Sequence, residues 1–437
     1  MTTIAILGTG MAGCGAAHRL RDEPVTTIMY DQHAYSGGHT ASFTHPEGFT
    51  FDDGPHVSFT KDARFQALLA ENVNHEYQTV PIRLNNYWRG HWITHPVQCN
   101  LRELPPELVV KILMDFLAAR NTVNPVIRNY ADWLIASFGR TFAETFPMEY
   151  TKKYWLTDAA NMTTDWLEPR IYRPDLEEIL LGALTTPPQS KHYVTEFRYP
   201  TRGGFGAYVA RFLAPMDVRL GHKVVGVDPK DRTLRFEDGR VAPYDGLVSS
   251  VPLPELIPMI GGVPDEVREA AGRLHCSSCV LVNVGVAREG VGSNSTMSYF
   301  YDQDFCFTRL SFPHAMSPHT VPPGASSIQA EVYFSDTYKP LDRKPDEFIE
   351  PMIRDLRRCG LLDPGDRILF RNATVAKWAN VIFDLEREAA LTTVHGFLDE
   401  IGIGYCGRYG DWGYMWTDHS FASGERAAET VLKRSGK

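Results

Sequence analysis

Long hydrophobic runs are missing from this chain. The longest candidate, residues 107–119, is interrupted by Lys111 and Asp115 and reads as an amphipathic helix, so no membrane span is expected. A basic stripe is missing too. Lys and Arg number 44 against 53 Asp and Glu, and the two signs are mixed along the chain for a formal net charge of −9. That balance speaks against a nucleic-acid partner. It leaves a phosphorylated substrate open, because a few arginines can reverse the field inside a cleft. Cysteine is sparse, with seven thiols scattered from Cys14 to Cys406, an odd count that fits reduced side chains rather than a disulfide framework. Cys276 and Cys279 form one CxxC without a second pair, so they read as buried thiols, and no metal site is expected. No leader-like segment precedes the apolar run at Ile4, and a cytoplasmic location is the expectation.

What is present is the composition of an ordinary globular protein, 43% hydrophobic and 22% charged, in a chain of 437 residues long enough for two or three packed units. The opening reads as a strand over residues 4–7, a glycine turn, a helix to Leu20 and a second strand to Tyr30. Residues 101–166 carry apolar side chains at three- and four-residue spacing and read as helices. Residues 218–250 alternate as short strands around an Asp238-Gly239 hairpin turn. Strands dominate from Cys279 to about Phe334. The end reads as a helix, two strands (the second over 402–406), a glycine-rich loop and a closing helix from Gly424. The simplest parse is an α/β protein whose nucleotide-binding domain is split by two inserts. Residues 1–80, 195–250 and 385–437 form the binding domain, 100–190 a helical domain, and 81–99 with 251–384 a strand-rich antiparallel substrate domain.

Gly8-Thr9-Gly10-Met11-Ala12-Gly13 falls between the first strand and the first helix. In a dinucleotide fingerprint Gly8 allows the tight turn, Gly10 lets backbone approach a pyrophosphate, and Gly13 allows strand and helix to pack closely. The helix start then faces the phosphates with free N–H groups and a partial positive charge. Asp31 ends the second strand, where a carboxylate accepts ribose hydroxyls and would repel the 2′-phosphate of NADP.

Gly37-Gly38 follows Asp31 closely, Asp52-Asp53-Gly54-Pro55-His56 comes a short loop later, and Gly407-Arg408-Tyr409-Gly410 lies near the end. With these segments the chain resembles the flavin amine-oxidase/UDP-galactopyranose mutase superfamily, which includes the protoporphyrinogen oxidases, and within it the eukaryotic-type mutases. The resemblance covers nearly the whole chain, with ordered landmarks at residues 92–105, 155–170, 197–206, 299–309 and 407–424. It implies a Rossmann-like FAD domain of the GR2 type. It also implies FAD contacts from Gly8, Gly10, Met11, Ala12, Gly13, Asp31, Gly37, Gly38, His39, Thr40 and Gly54. Val224 is expected at the adenine through its backbone, and His56 against the isoalloxazine ring. Gly407, Tyr414, Asp418, His419 and Ser420 are expected near the flavin and its phosphates, with Asp418 just ahead of the last helix.

The resemblance further implies a nucleotide-diphosphate sugar as partner. A diphosphate carries about two charges to be neutralised once water is excluded, and guanidinium forks suit its oxygens. Arg309 and Arg408 are expected to clamp it across the flavin, with Arg170 in support, Tyr299 and Tyr414 on the phosphates, and Gln98 and Trp155 on the nucleotide side. Val97, Thr151, Val194 and Asn380 depart from the mutase pattern, which has an aromatic residue, two asparagines and a phosphate-contacting tyrosine at those places. Pro55 replaces a glycine, and the loop from Tyr414 to Asp418 is two residues shorter.

The activity so implied is pyranose–furanose ring isomerisation through a flavin N5–sugar adduct, with FAD first reduced by NAD(P)H and with His56, Arg309 and Arg408 as the catalytic set. The rival is an oxidoreductase that takes hydride from an amine, porphyrinogen or polyene, for which paired arginines over the flavin would be costly. A flavin-binding module without chemistry is a third class. The base, the sugar and whether the chain forms a homo-oligomer are left open.

Overall fold

The computed structural model describes residues 2–168, 170–186, 194–292 and 295–435. The end placed at residue 190 for the helical domain lies outside them. Five parallel strands form the first sheet, in the spatial order Gly404–Tyr405, Gly246–Ser249, Thr3–Leu7, Thr26–Tyr30, Asp217–Arg219. Thr3–Leu7 sits in the middle and is buried over four of its five residues, as suits a strand covered on both faces. The helix Met11–Leu20 leaves this strand through the glycine turn and packs along the last helix, Thr417–Ser435.

That packing corrects one expectation. Gly424 does not open the closing helix, which begins seven residues earlier. A Cβ there would lie 1.9 Å from the Ala12 carbonyl oxygen, and one on Gly15 would lie 2.0 Å from that of Phe421. Both glycines therefore serve close helix contact rather than helix termination. Asp418, expected ahead of the helix, lies in its first turn.

A second, seven-stranded sheet runs Ile368–Ala376, Ser278–Val286, Ser326–Phe334, Arg309–Ser311, Met297–Phe300, Leu84–Trp88, His91–Thr94. All of its neighbours are antiparallel except the parallel pair Met297–Phe300 and Leu84–Trp88. Its register sets Tyr299 opposite Arg309, Arg309 opposite Glu331, and Glu331 opposite Leu281. Side chains directly across a sheet share a face, so these four stand in one row. A three-stranded antiparallel sheet contains Val224–Asp228, and its other two strands meet at the Asp238-Gly239 turn, where Gly239 has φ +87°.

Helices Pro106–Arg120, Tyr130–Phe138, Arg140–Thr145, Pro147–Tyr154 and Leu176–Leu184 form the helical part. Lys153 ties it to the second sheet: its ammonium donates to the carbonyls of Asp302, Phe305 and Phe307 at 2.8, 3.2 and 2.7 Å. No helix among the described residues is long and apolar enough to cross a membrane.

Candidate active site

The two sheets and the helices enclose a cavity of about 1200 Å³. At one end its wall is the glycine turn, residues 8–12, together with Asp31 and the loop 37–40. Gly8 (φ +101°) and Gly37 (φ +103°) adopt the left-handed backbone that favours glycine. Gly38 passes so close to Gly10 that an added Cβ would lie 3.2 Å from the Gly10 Cα. No side chain caps the helix Met11–Leu20, so its first N–H groups remain available to an anion. Gly13 does not line the cavity. It acts from behind, since a Cβ there would sit 2.1 Å from the Gly8 carbonyl oxygen and push strand and helix apart.

The Asp31 carboxylate accepts from the Thr9 amide (2.9 Å) and hydroxyl (2.6 Å) with one oxygen, and from the His33 amide (3.0 Å) with the other. It is thereby fixed at the end of its strand with lone pairs to spare for hydroxyl donors. Val224 lines the same end. The bare backbone, the uncapped helix and the oriented carboxylate together fit an extended dinucleotide such as FAD.

Further in, His39, Thr40, Gly54 and His56 line one side, and Gly407, Tyr414 and Ser420 the other. Asp418 and His419 do not reach the wall. Asp418 instead accepts the Thr60 hydroxyl at 2.6 Å, and His419 is exposed on the outer face of the same helical turn. The Nδ1–H of His56 donates to the Gly54 carbonyl at 2.9 Å; a carbonyl only accepts, so Nε2 carries the lone pair. Lost hydration lowers the His56 pKa to about 4, with the nearby His39 and Arg408 acting in the same direction against the bond to Gly54. His56 is therefore neutral at physiological pH, an acceptor rather than an acid.

Across from it, Gln98, Trp155, Arg170, Tyr299, Arg309 and Arg408 all line the cavity, so the expected substrate residues converge. Arg309 brings its own counter-charge. Its guanidinium binds the Glu331 carboxylate in bidentate fashion, with Nη2 2.7 Å from Oε1 and Nε on Oε2. Tyr333 donates to the same Oε1 at 2.8 Å. Burial disfavours the Arg309 charge, but Glu331 overrides it and holds the pKa well above the ordinary arginine value.

Arg408 and Arg170 differ from it. Arg408 donates to the carbonyls of Met415 (Nη2 at 2.7 Å) and Ala379 (Nη1 at 3.1 Å). The Arg170 guanidinium lies 3.7 Å from the ring centre of Tyr414 and 4.4 Å from that of Trp416, and it donates to the Tyr414 carbonyl. Among the described residues no carboxylate lies within 4.0 Å of either guanidinium. Of the acids of the wall, Glu255 pairs with Lys377 and Glu331 with Arg309, Asp53 meets the His39 imidazole at 3.0 Å, and Asp31 at the glycine-turn end is held by neutral donors.

Four residues of this wall escape the sequence reading: Glu331, Tyr333, Tyr150 and Tyr154. The Tyr154 hydroxyl meets that of Tyr414 at 2.9 Å. Burial pushes the phenols of Tyr150, Tyr154, Tyr299 and Tyr333 up, so they remain neutral hydroxyls. Glu331 did leave a signal. It is the single charge in Ser326–Phe334, a strand buried at all nine positions, and such a charge needs a partner.

The glycine cradle and the parallel sheet define a dinucleotide-binding protein, and comparison names its class: a model of the flavin containing amine oxidoreductases matches residues 11–432, and the chain belongs to that family. It is a flavoprotein whose cofactor is FAD. Among solved structures, that of a reduced UDP-galactopyranose mutase is similar at a TM-score of 0.92 and 26% identity, over 100% of this chain and 95% of that one. A putative protoporphyrinogen oxidase from Exiguobacterium sp. 255-15 follows at 0.76 and 15% identity, covering 99% of both chains. An oxidoreductase from Methanosarcina mazei reaches 0.65 at 13% identity, over 98% of this chain and 100% of that one. The last two share the fold.

Proposed function

We infer that the protein is a flavin-dependent mutase acting on a nucleotide-diphosphate sugar by redox-neutral ring isomerisation. The observation that carries this reading is the pair of arginines on the aromatic part of the wall. Arg170 and Arg408 face the cavity without a carboxylate, and two uncompensated guanidinium groups in a confined, aromatic space match the roughly two charges of a diphosphate. Similarity to a UDP-galactopyranose mutase along the whole chain supports the same class.

Reduced FAD, when bound, supplies the nucleophile for the sugar carbon, with NAD(P)H as the proposed reductant. The protein's own share is positioning and charge. Arg408 and Arg170 hold the diphosphate and stabilise the charge it gains as a leaving group. Arg309, neutralised by Glu331, contributes hydrogen-bonding geometry rather than net charge. Tyr299 and Tyr414 offer neutral hydroxyls at the same wall. On this reading Gln98, whose amide donates to the Tyr172 carbonyl at 2.9 Å, and Trp155 serve the nucleotide side of the cavity. His56, neutral and held by Gly54, props the ring face and can accept a proton but not supply one.

The aromatic stretch of the wall, with Tyr130, Phe138, Phe142 and Phe146, favours a second reading as an oxidoreductase of an apolar substrate. The two are separable. The mutase reading expects turnover only after dithionite or NADPH reduction, with a product of unchanged mass, and at least tenfold weaker nucleoside-diphosphate binding in Arg170→Ala and in Arg408→Ala. Unchanged affinity in both variants, or oxygen consumption with an apolar substrate in air, overturns it.

A further inference from the structure

His39 and Asp53 stand together on the cavity wall between the glycine cradle and His56. The segments that carry them are tied by the Asp53 amide, which donates to the Ala41 carbonyl at 3.0 Å. His39 Nδ1 lies 3.0 Å from Asp53 Oδ2. A carboxylate only accepts, so Nδ1 carries the proton, and Nε2 has no partner among the described residues. A second contact fixes the ring. It lies at 66° to that of Tyr409, with centroids 5.6 Å apart, and the Tyr409 hydroxyl is anchored on the carbonyls of Trp378 (2.8 Å) and Ala379 (3.1 Å). His56 and His222, also on the wall, direct Nδ1 at the backbone carbonyls of Gly54 and Leu220, whereas His39 directs it at an acid. The titratable groups around the pair register its charge. Burial dominates at His56, Tyr35, Tyr409, Cys279 and Asp52; beyond it, Asp53 raises the pKa of all five, while His39 and Arg408 lower that of His56.

The phosphates of FAD already have the uncapped helix start, so this pair, further in and on the loop that ends in His56, answers a different charge. Hydride from a nicotinamide donor brings a flavin two electrons and one proton and leaves it with one negative charge. A lone carboxylate on the wall would oppose that charge, and an imidazolium beside it offsets both. We propose that His39 and Asp53 are the charge-compensating pair of the flavin site, in which His39 holds a proton against the negative charge of the reduced flavin and Asp53 fixes the tautomer and direction of the imidazole. The proton on His39 comes from solvent and returns there when the flavin is reoxidised. This role stands apart from the choice between ring isomerisation and hydride abstraction, because both use the reduced flavin.

Dye-coupled redox titration of the FAD-loaded protein across pH 6–8 tests it, with the midpoint potential of the bound flavin as the readout. His39→Gln leaves the Asp53 charge uncompensated. It is expected to shift the equilibrium at least tenfold toward oxidised flavin, about 30 mV for a two-electron couple. Asp53→Asn removes the opposing charge and is expected at or above the wild-type potential, and the double variant above His39→Gln. The potential should also fall less steeply with pH in His39→Gln than in wild type, since one proton fewer accompanies reduction. A merely structural hydrogen bond would give its two halves the same sign. An unchanged or raised potential in His39→Gln, or any drop in Asp53→Asn, overturns the proposal. Loss of FAD from either single variant overturns it as well, since the pair would then be a binding contact. None of these outcomes bears on the nucleoside-diphosphate binding that tests the proposed function.

Discussion

Glu331 fixes the electrostatic character of its sheet row. Removing the carboxylate leaves the partly buried Arg309 guanidinium, opposite Tyr299 in the sheet, without its counter-charge, and breaking a buried pair from one side costs up to about 3–5 kcal/mol. Glu331→Gln is therefore expected to lower the thermal midpoint of the FAD-loaded protein markedly, and a change below about 1 kcal/mol in denaturant titration would show the pair to be dispensable. His56 makes a pH-dependent contribution of definite sign. Its folded pKa, about 4, lies below the ordinary value of 6.5, so the unfolded chain takes up the proton first as the pH drops. The stability it carries is complete above pH 6.5 and is lost as the pH falls toward 4. Melting curves of wild type and His56→Gln should converge across that window, and activity should show no histidine limb between pH 5.5 and 8. At this scale the sequence was legible where a residue type had one use, as with Asp31 at a strand end. The counter-charge of Arg309 was not legible, because an arginine does not disclose which acid faces it across a sheet. That acid lies 22 residues away, and only strand register brings the two together.

Among the elements, the first and last helices set the tightest tolerance. Gly424→Ala would place a methyl group 1.9 Å from the Ala12 carbonyl, where rigid backbone on both sides cannot yield cheaply. The expected outcome is a loss of about 1–3 kcal/mol in stability together with weaker FAD retention, read from the ratio of flavin to protein absorbance. Gly402→Ala, where an added Cβ meets only the Arg434 side chain at 4.0 Å but φ is +75°, provides a contrast in which backbone strain acts without helix displacement. The strand–turn–helix opening was legible because three signals coincide within 31 residues. The start of the closing helix was not, because a glycine in sequence looks like punctuation, and its role in close packing appears only when the partner helix is in place. The Asp238-Gly239 hairpin, whose turn chemistry is local, was readable directly.

Across the whole molecule, the cavity wall draws on residues from Leu7 to Ser420, so cofactor and fold are energetically linked. Stripping FAD should lower the apparent melting temperature, and adding it back should restore stability by about 2.7 kcal/mol at a hundredfold excess over Kd. A midpoint insensitive to FAD would mean that the folded chain does not bind it in preference to the unfolded one. The division into a parallel sheet, a helical part and a largely antiparallel sheet was foreseeable from periodicity and turn signals, though not the one parallel pair in that second sheet. The convergence of wall residues from all three came from the family resemblance alone, since it depends on crossovers that no local pattern encodes. The order of the sheet carries one more consequence, for how the protein comes into being. The edge strand Gly404–Tyr405 and the helix Thr417–Ser435 complete the nucleotide cradle that the first dozen residues begin. A nascent polypeptide still on the ribosome thus holds an open half-site, and flavin capture must wait until translation has passed the closing helix. Stalled or prematurely terminated chains should accumulate colourless, whatever the cellular supply of the vitamin.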